Sequence, residues 1–142
     1  MTTQHLEIPL QPYTEPQRRW LKRSASTIDR YLDTTYGDDR EGRSLDAMFL
    51  RLAADVIWEV APDAPGWHRL SVLTLLVHLA NAPTWDEAFL LHACAALAAF
   101  YRWLERHDSV APHEVGRILD DLDRRMAETL ASLGVSPSSL VV

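Results

Sequence analysis

Apolar residues recur at spacings of three and four along five stretches of this chain, and glycine or proline separates most of the stretches. That period buries one face of a helix, whereas a strand would alternate at every second residue. The fold expected is an all-α, single-domain bundle of about five helices. An extended arm is expected over residues 1–13, the bundle over 14–134 and a flexible tail over 135–142.

The first helix is expected from Thr14, because Thr14-Glu15-Pro16-Gln17 reads as a capping box with proline in the first turn. Trp20, Leu21, Ala25, Ile28, Leu32 and Tyr36 follow on one stripe, and Gly37 ends it. The second is expected after Ser44 as N-cap, with Asp46 in its first turn and a stripe of Leu45, Phe49, Leu52, Val56 and Val60. Pro62 to Gly66 stop it.

The third is expected over about Trp67 to Ala80. Its near-continuous Leu and Val residues predict burial all round. The fourth is expected from a second capping box, Thr84-Trp85-Asp86-Glu87, to about Arg106, and its many alanines let neighbouring helices come close. Helices 3 and 4 are therefore placed at the centre as an antiparallel hairpin, joined by the turn at Pro83. The fifth starts near Pro112 and runs on Val115, Leu119, Leu122, Met126, Leu130 and Leu133 to Gly134.

Charge and composition narrow the function. The net charge is −6 over 142 residues. Residues 1–43 hold seven basic and seven acidic side chains, so residues 44–142 carry the whole excess. An acidic bulk disfavours nucleic-acid phosphates and anionic membranes. No apolar run is long enough to span a bilayer, and Met1 to Pro12 lack the basic and apolar regions of a signal peptide, so a cytoplasmic location is expected. Cys94, the one cysteine, sits among alanines and reads as a small buried hydrophobe. The five glycines form no phosphate-binding loop, and no cofactor is expected.

Three groups of residues bear chemistry. Ser71, Thr74 and His78 form a polar strip three and four residues apart on helix 3, with His92 across the turn on helix 4. They read as a satisfied polar strip or as the lining of a small-molecule pocket. Asp55 and Glu59 share a face of helix 2 nearby, but no Glu-x-x-His pair accompanies them, so no metal is expected. Arg18, Arg19, Lys22 and Arg23 surround Trp20 on helix 1, and Arg30 continues the row. This face suits solvent, an acidic protein or nucleic acid.

The third group is Arg102-Trp103-Leu104-Glu105-Arg106-His107. Arginine, four residues, then histidine resembles the motif of the HEPN ribonucleases, which are also small helical bundles. The resemblance implies that Arg102 and His107 would assist attack of an RNA 2′-hydroxyl on its phosphodiester, usually across a dimer. The same residues also read as a solvated helix end, where cations meet the negative pole of the helix. Ala95 to Leu104 is in addition similar to a helix in the DNA-clamping domain of tyrosine recombinases, a likeness of about ten residues without that family's basic surface.

No catalytic pattern outweighs its plain structural explanation. The function expected is therefore that of a small helical interaction or regulatory protein without its own catalysis, meeting a protein partner or a second copy of itself. A HEPN-like ribonuclease using Arg102 and His107, and a nucleic-acid-binding subunit using the basic face of helix 1, are the alternatives.

Overall fold

A computed structural model describes residues 13–81, 86–107 and 109–132. Five α-helices follow one another: α1 (Glu15–Tyr36), α2 (Arg40–Val60), α3 (Val72–Ala80), α4 (Glu87–Arg106) and α5 (Pro112–Ser132). A single 3₁₀ turn, Trp67–Arg69, precedes α3, and no strand occurs among the described residues. The all-α bundle expected from the spacing is what forms. The arm and tail expected at the ends lie outside the described residues, save for Tyr13. So does the turn at Pro83.

The caps explain the helix boundaries. Thr14 accepts the Gln17 backbone N–H at 3.4 Å and opens α1 with Pro16 in the first turn. Gly37 closes it at φ 55°, a backbone conformation that a side chain disfavours. α2 begins earlier than the sequence suggests. Asp39, not Ser44, is its N-cap and accepts from the Gly42 N–H at 3.4 Å, so the helix starts at Arg40, five residues before the position expected. α4 is capped by Asp86, which accepts from the Phe89 N–H at 2.7 Å. Thr84, expected as its cap, lies outside the described residues.

The core runs between α1, α2 and α4, with α5 laid against α4. Trp20, Ile28 and Leu32 of α1 meet Phe49, Leu50 and Ile57 of α2, and Leu90, Leu97, Phe100 and Tyr101 of α4 complete the layer. Each large side chain so buried contributes about 1.5–3 kcal/mol relative to exposure. Two hydrogen bonds fix the packing. Trp20 Nε1 donates to the Ala54 carbonyl at 2.9 Å, and the Tyr101 hydroxyl donates to the Trp67 carbonyl at 2.7 Å. Ala53, Ala54, Ala93 and Ala96 are buried where the helices pass closely.

α3 departs from the expectation of burial all round. Leu75, Leu76 and Leu79 face inward, but Leu73 and Val77 are 53% and 52% exposed. The helix is only nine residues long and rests on α2 and α5, so its opposite side has no neighbour among the described residues.

Candidate functional site

The polar strip read on helix 3 does not converge on one pocket. Ser71 is the N-cap of α3. Its Oγ accepts from the Thr74 N–H at 3.2 Å, and its hydroxyl donates to Thr74 Oγ1 at 2.9 Å. His78 donates from Nε2 to Glu59 Oε1 at 3.0 Å, both groups being largely in water. His92 donates from Nε2 to Asp46 Oδ1, also at 3.0 Å. Glu59 and Asp46 are thirteen residues apart on α2, about 20 Å along its axis. The two histidines thus serve opposite ends of the bundle. Partial burial holds the Asp55 carboxyl above its ordinary range, and His78 offsets this in part. Among the described residues no three His, Cys, Asp or Glu groups are arranged to hold a metal ion.

The basic face of α1 is largely occupied. Arg18 and Arg19 reach Glu15 at 2.8 and 3.8 Å. The Arg23 guanidinium lies 5.2 Å over the Trp20 ring and donates to the Pro65 carbonyl at 3.1 Å. Arg30 lies 5.8 Å over the Trp103 ring. Lys22 is exposed. Arg102 is exposed as well. His107 stacks on Trp103 with ring centres 4.3 Å apart and donates from Nδ1 to the Trp103 carbonyl at 2.9 Å. Five residues of helix turn Arg102 and His107 about 140° apart.

Where α1, α2 and α4 meet, the structure assembles a cluster that the sequence pattern did not single out. Asp46 is buried, its side chain only 4% exposed. Oδ1 takes the His92 hydrogen bond, and Oδ2 takes one from the Tyr36 hydroxyl. The Tyr36 ring reaches Asp46 by passing over Gly42, where a Cβ would stand 2.6 Å from Tyr36 Cε1. The hydrogen bond to Asp46 and partial burial hold the Tyr36 hydroxyl well above its ordinary pKa of 10.0, so it stays a neutral donor. A cleft of about 230 Å³ opens beside the cluster, lined by Tyr31, Thr35 and Tyr36 of α1 and by Ala95, Ala96 and Ala99 of α4. At spacings of four, three and four, Asp46 falls on the buried stripe with Leu50, Ala53 and Ile57. An acid at a core position was the available signal.

A second feature is apolar. Leu73, Leu76, Val77 and Ala80 of α3 line a shallow groove of about 190 Å³ against Arg125, Glu128 and Thr129 of α5. Val60, at the end of α2, is 48% exposed beside Leu70 and Ser71, just before α3. Along α5 the flanking charges alternate in sign. Arg117 pairs with Glu114, and both Arg124 and Arg125 pair with Asp121.

No family model, curated protein or solved structure matches this chain. No described helix is long and apolar enough to cross a membrane.

Proposed function

We propose that this protein is a small helical interaction protein that works by docking rather than by catalysis, and that its docking face is the outer side of α3 with the adjoining edge of α5. The observation that carries this reading is the exposure of Leu73 and Val77, one turn apart on the same short helix. Leaving two aliphatic side chains half in water forgoes about 1 kcal/mol each. Docking recovers that energy. Three of the exposed large apolar residues, Val60, Leu73 and Val77, lie on this side of the molecule.

The occupant proposed is a second copy of the chain. A two-fold contact requires a face that complements itself. Glu114, Arg117, Asp121, Arg124, Arg125 and Glu128 offer three acids and three bases along α5, so this face does not repel its copy although the chain as a whole is acidic. Sedimentation of the purified protein at micromolar concentration tests the reading. A dimer is expected, and Leu73→Asp with Val77→Asp should sediment as a monomer with an unchanged helical signal. A monomeric parent protein, or a dimer indifferent to both substitutions, would remove this face from the account.

A further inference from the structure

We propose that the cleft beside Tyr36, Asp46 and His92 binds a small organic cation, a primary amine on a compact apolar body, with Asp46 as its counter-charge. Asp46 places its carboxyl group, hydrogen-bonded to Tyr36 and His92, at a position with almost no access to water. A buried carboxylate is unfavourable unless something of opposite charge answers it. Arg43, three residues away in sequence, is taken by Asp33 at 2.5 Å. No arginine or lysine pairs with Asp46 among the described residues. Of its two partners, the Tyr36 hydroxyl is neutral. Among the described residues, His92 is the one group able to pair with it as a cation, an imidazole 45% exposed, 3.0 Å from Oδ1 and with its ring against Phe49.

The cavity beside the carboxylate fits this ligand class. Its walls include the rings of Tyr31 and Tyr36, and aromatic faces attract cations. Its α4 side is built from Ala95, Ala96 and Ala99, side chains too small to fill it. At about 230 Å³ it is smaller than the roughly 300–1,000 Å³ of sites for drug-sized molecules, so the body must be compact.

Titration of the full chain with benzylamine, followed by the backbone amide signals of Thr35, Ala95 and Ala99, tests the proposal. Benzyl alcohol serves as the neutral probe of the same shape. Saturable shifts are expected at millimolar benzylamine, with benzyl alcohol at least about tenfold weaker, the factor that one modest charge interaction supplies. Asp46→Asn should weaken benzylamine about tenfold or more. Because Asp46 also supports the fold, Ala99→Leu is the second variant: it fills the cleft, leaves the cluster in place and should abolish the shifts. The proposal is overturned by absent shifts at millimolar benzylamine, by equal responses to the two probes, or by an Ala99→Leu protein that binds as the parent does.

Discussion

His92 donates to Asp46 at 3.0 Å from α4 to α2, joining a half-exposed imidazole to a carboxylate almost wholly inside the bundle. The two partners therefore stand in unequal positions. Removing His92 leaves Asp46 with the Tyr36 hydroxyl and lets water take the vacated side. Removing Asp46 leaves both Tyr36 and His92 without their acceptor. Asp46→Ala is expected to lower stability by about 2–3 kcal/mol and His92→Ala by about 1 kcal/mol or less, because the first removes both hydrogen bonds and the second removes one whose place water can take. Urea denaturation checks the order. A His92→Ala loss equal to that of Asp46→Ala would mean that the imidazole, not the hydroxyl, holds the carboxylate.

The two glycines inside helices separate a packing demand from a helix preference. Gly116 lies in α5 with open space where a Cβ would go, so Gly116→Ala should stabilise by about 0.5–1 kcal/mol. Gly42 lies in α2 under the Tyr36 ring. Gly42→Ala has the same helix preference but displaces the ring and breaks the Tyr36–Asp46 hydrogen bond. A net loss of about 1–2 kcal/mol is expected. Thermal melts of the two variants should move in opposite directions. An upward shift for both would show that Tyr36 keeps its bond by moving aside.

The helices were legible because their stripes are long and their ends chemically marked. Thr14, Pro16 and Gly37 act as the sequence suggests. The start of α2 was not legible, since Asp39 and Ser44 are both good N-caps and a local pattern does not choose between them. Asp46 shares a stripe with Leu50, Ala53 and Ile57 wherever the helix begins, and its burial is set by how α2 packs against α1 and α4. The partial exposure of α3 escaped for a related reason. Leu73 and Val77 are as apolar as Leu75 and Leu79, and only the arrangement of the other helices decides which pair is covered. His92 was legible as a polar group near the core, but spacing along α3 and α4 carries no information about which α2 carboxylate it meets.

Two buried tryptophans differ in one hydrogen bond. Trp20 Nε1 donates to the Ala54 carbonyl at 2.9 Å, whereas Trp103 Nε1 is buried without an acceptor among the described residues. Both rings are well packed, Trp103 against Tyr31, Phe100 and His107. Substitution by phenylalanine removes similar area from each. In Trp20→Phe the lost hydrogen bond adds about 1 kcal/mol to the loss, while in Trp103→Phe the removal of an unsatisfied donor offsets about 1–3 kcal/mol. Trp103→Phe should therefore be the milder variant in chemical denaturation. The reverse order would show that Trp103 Nε1 finds an acceptor in solution, such as an ordered water.

The titrating groups of the interior predict failure at high pH. Burial pushes the Cys94 thiol from 9.0 up to about 12. Burial holds the Tyr31 and Tyr101 hydroxyls above their ordinary 10.0, and the bond to Asp46 with burial does the same for Tyr36. In each case the folded chain keeps a proton that the unfolded chain gives up. The unfolded state then binds fewer protons, and stability falls as pH rises. These contributions are whole below the unfolded value, 9.0 for the thiol and 10.0 for the tyrosines. Above it each is lost at up to about 1.4 kcal/mol per pH unit. Urea midpoints should be flat to about pH 9 and then fall. Cys94→Ala removes the group that titrates first, so its decline should begin about one pH unit later. A midpoint unchanged well past pH 10 would mean that these side chains ionise within the fold without opening it.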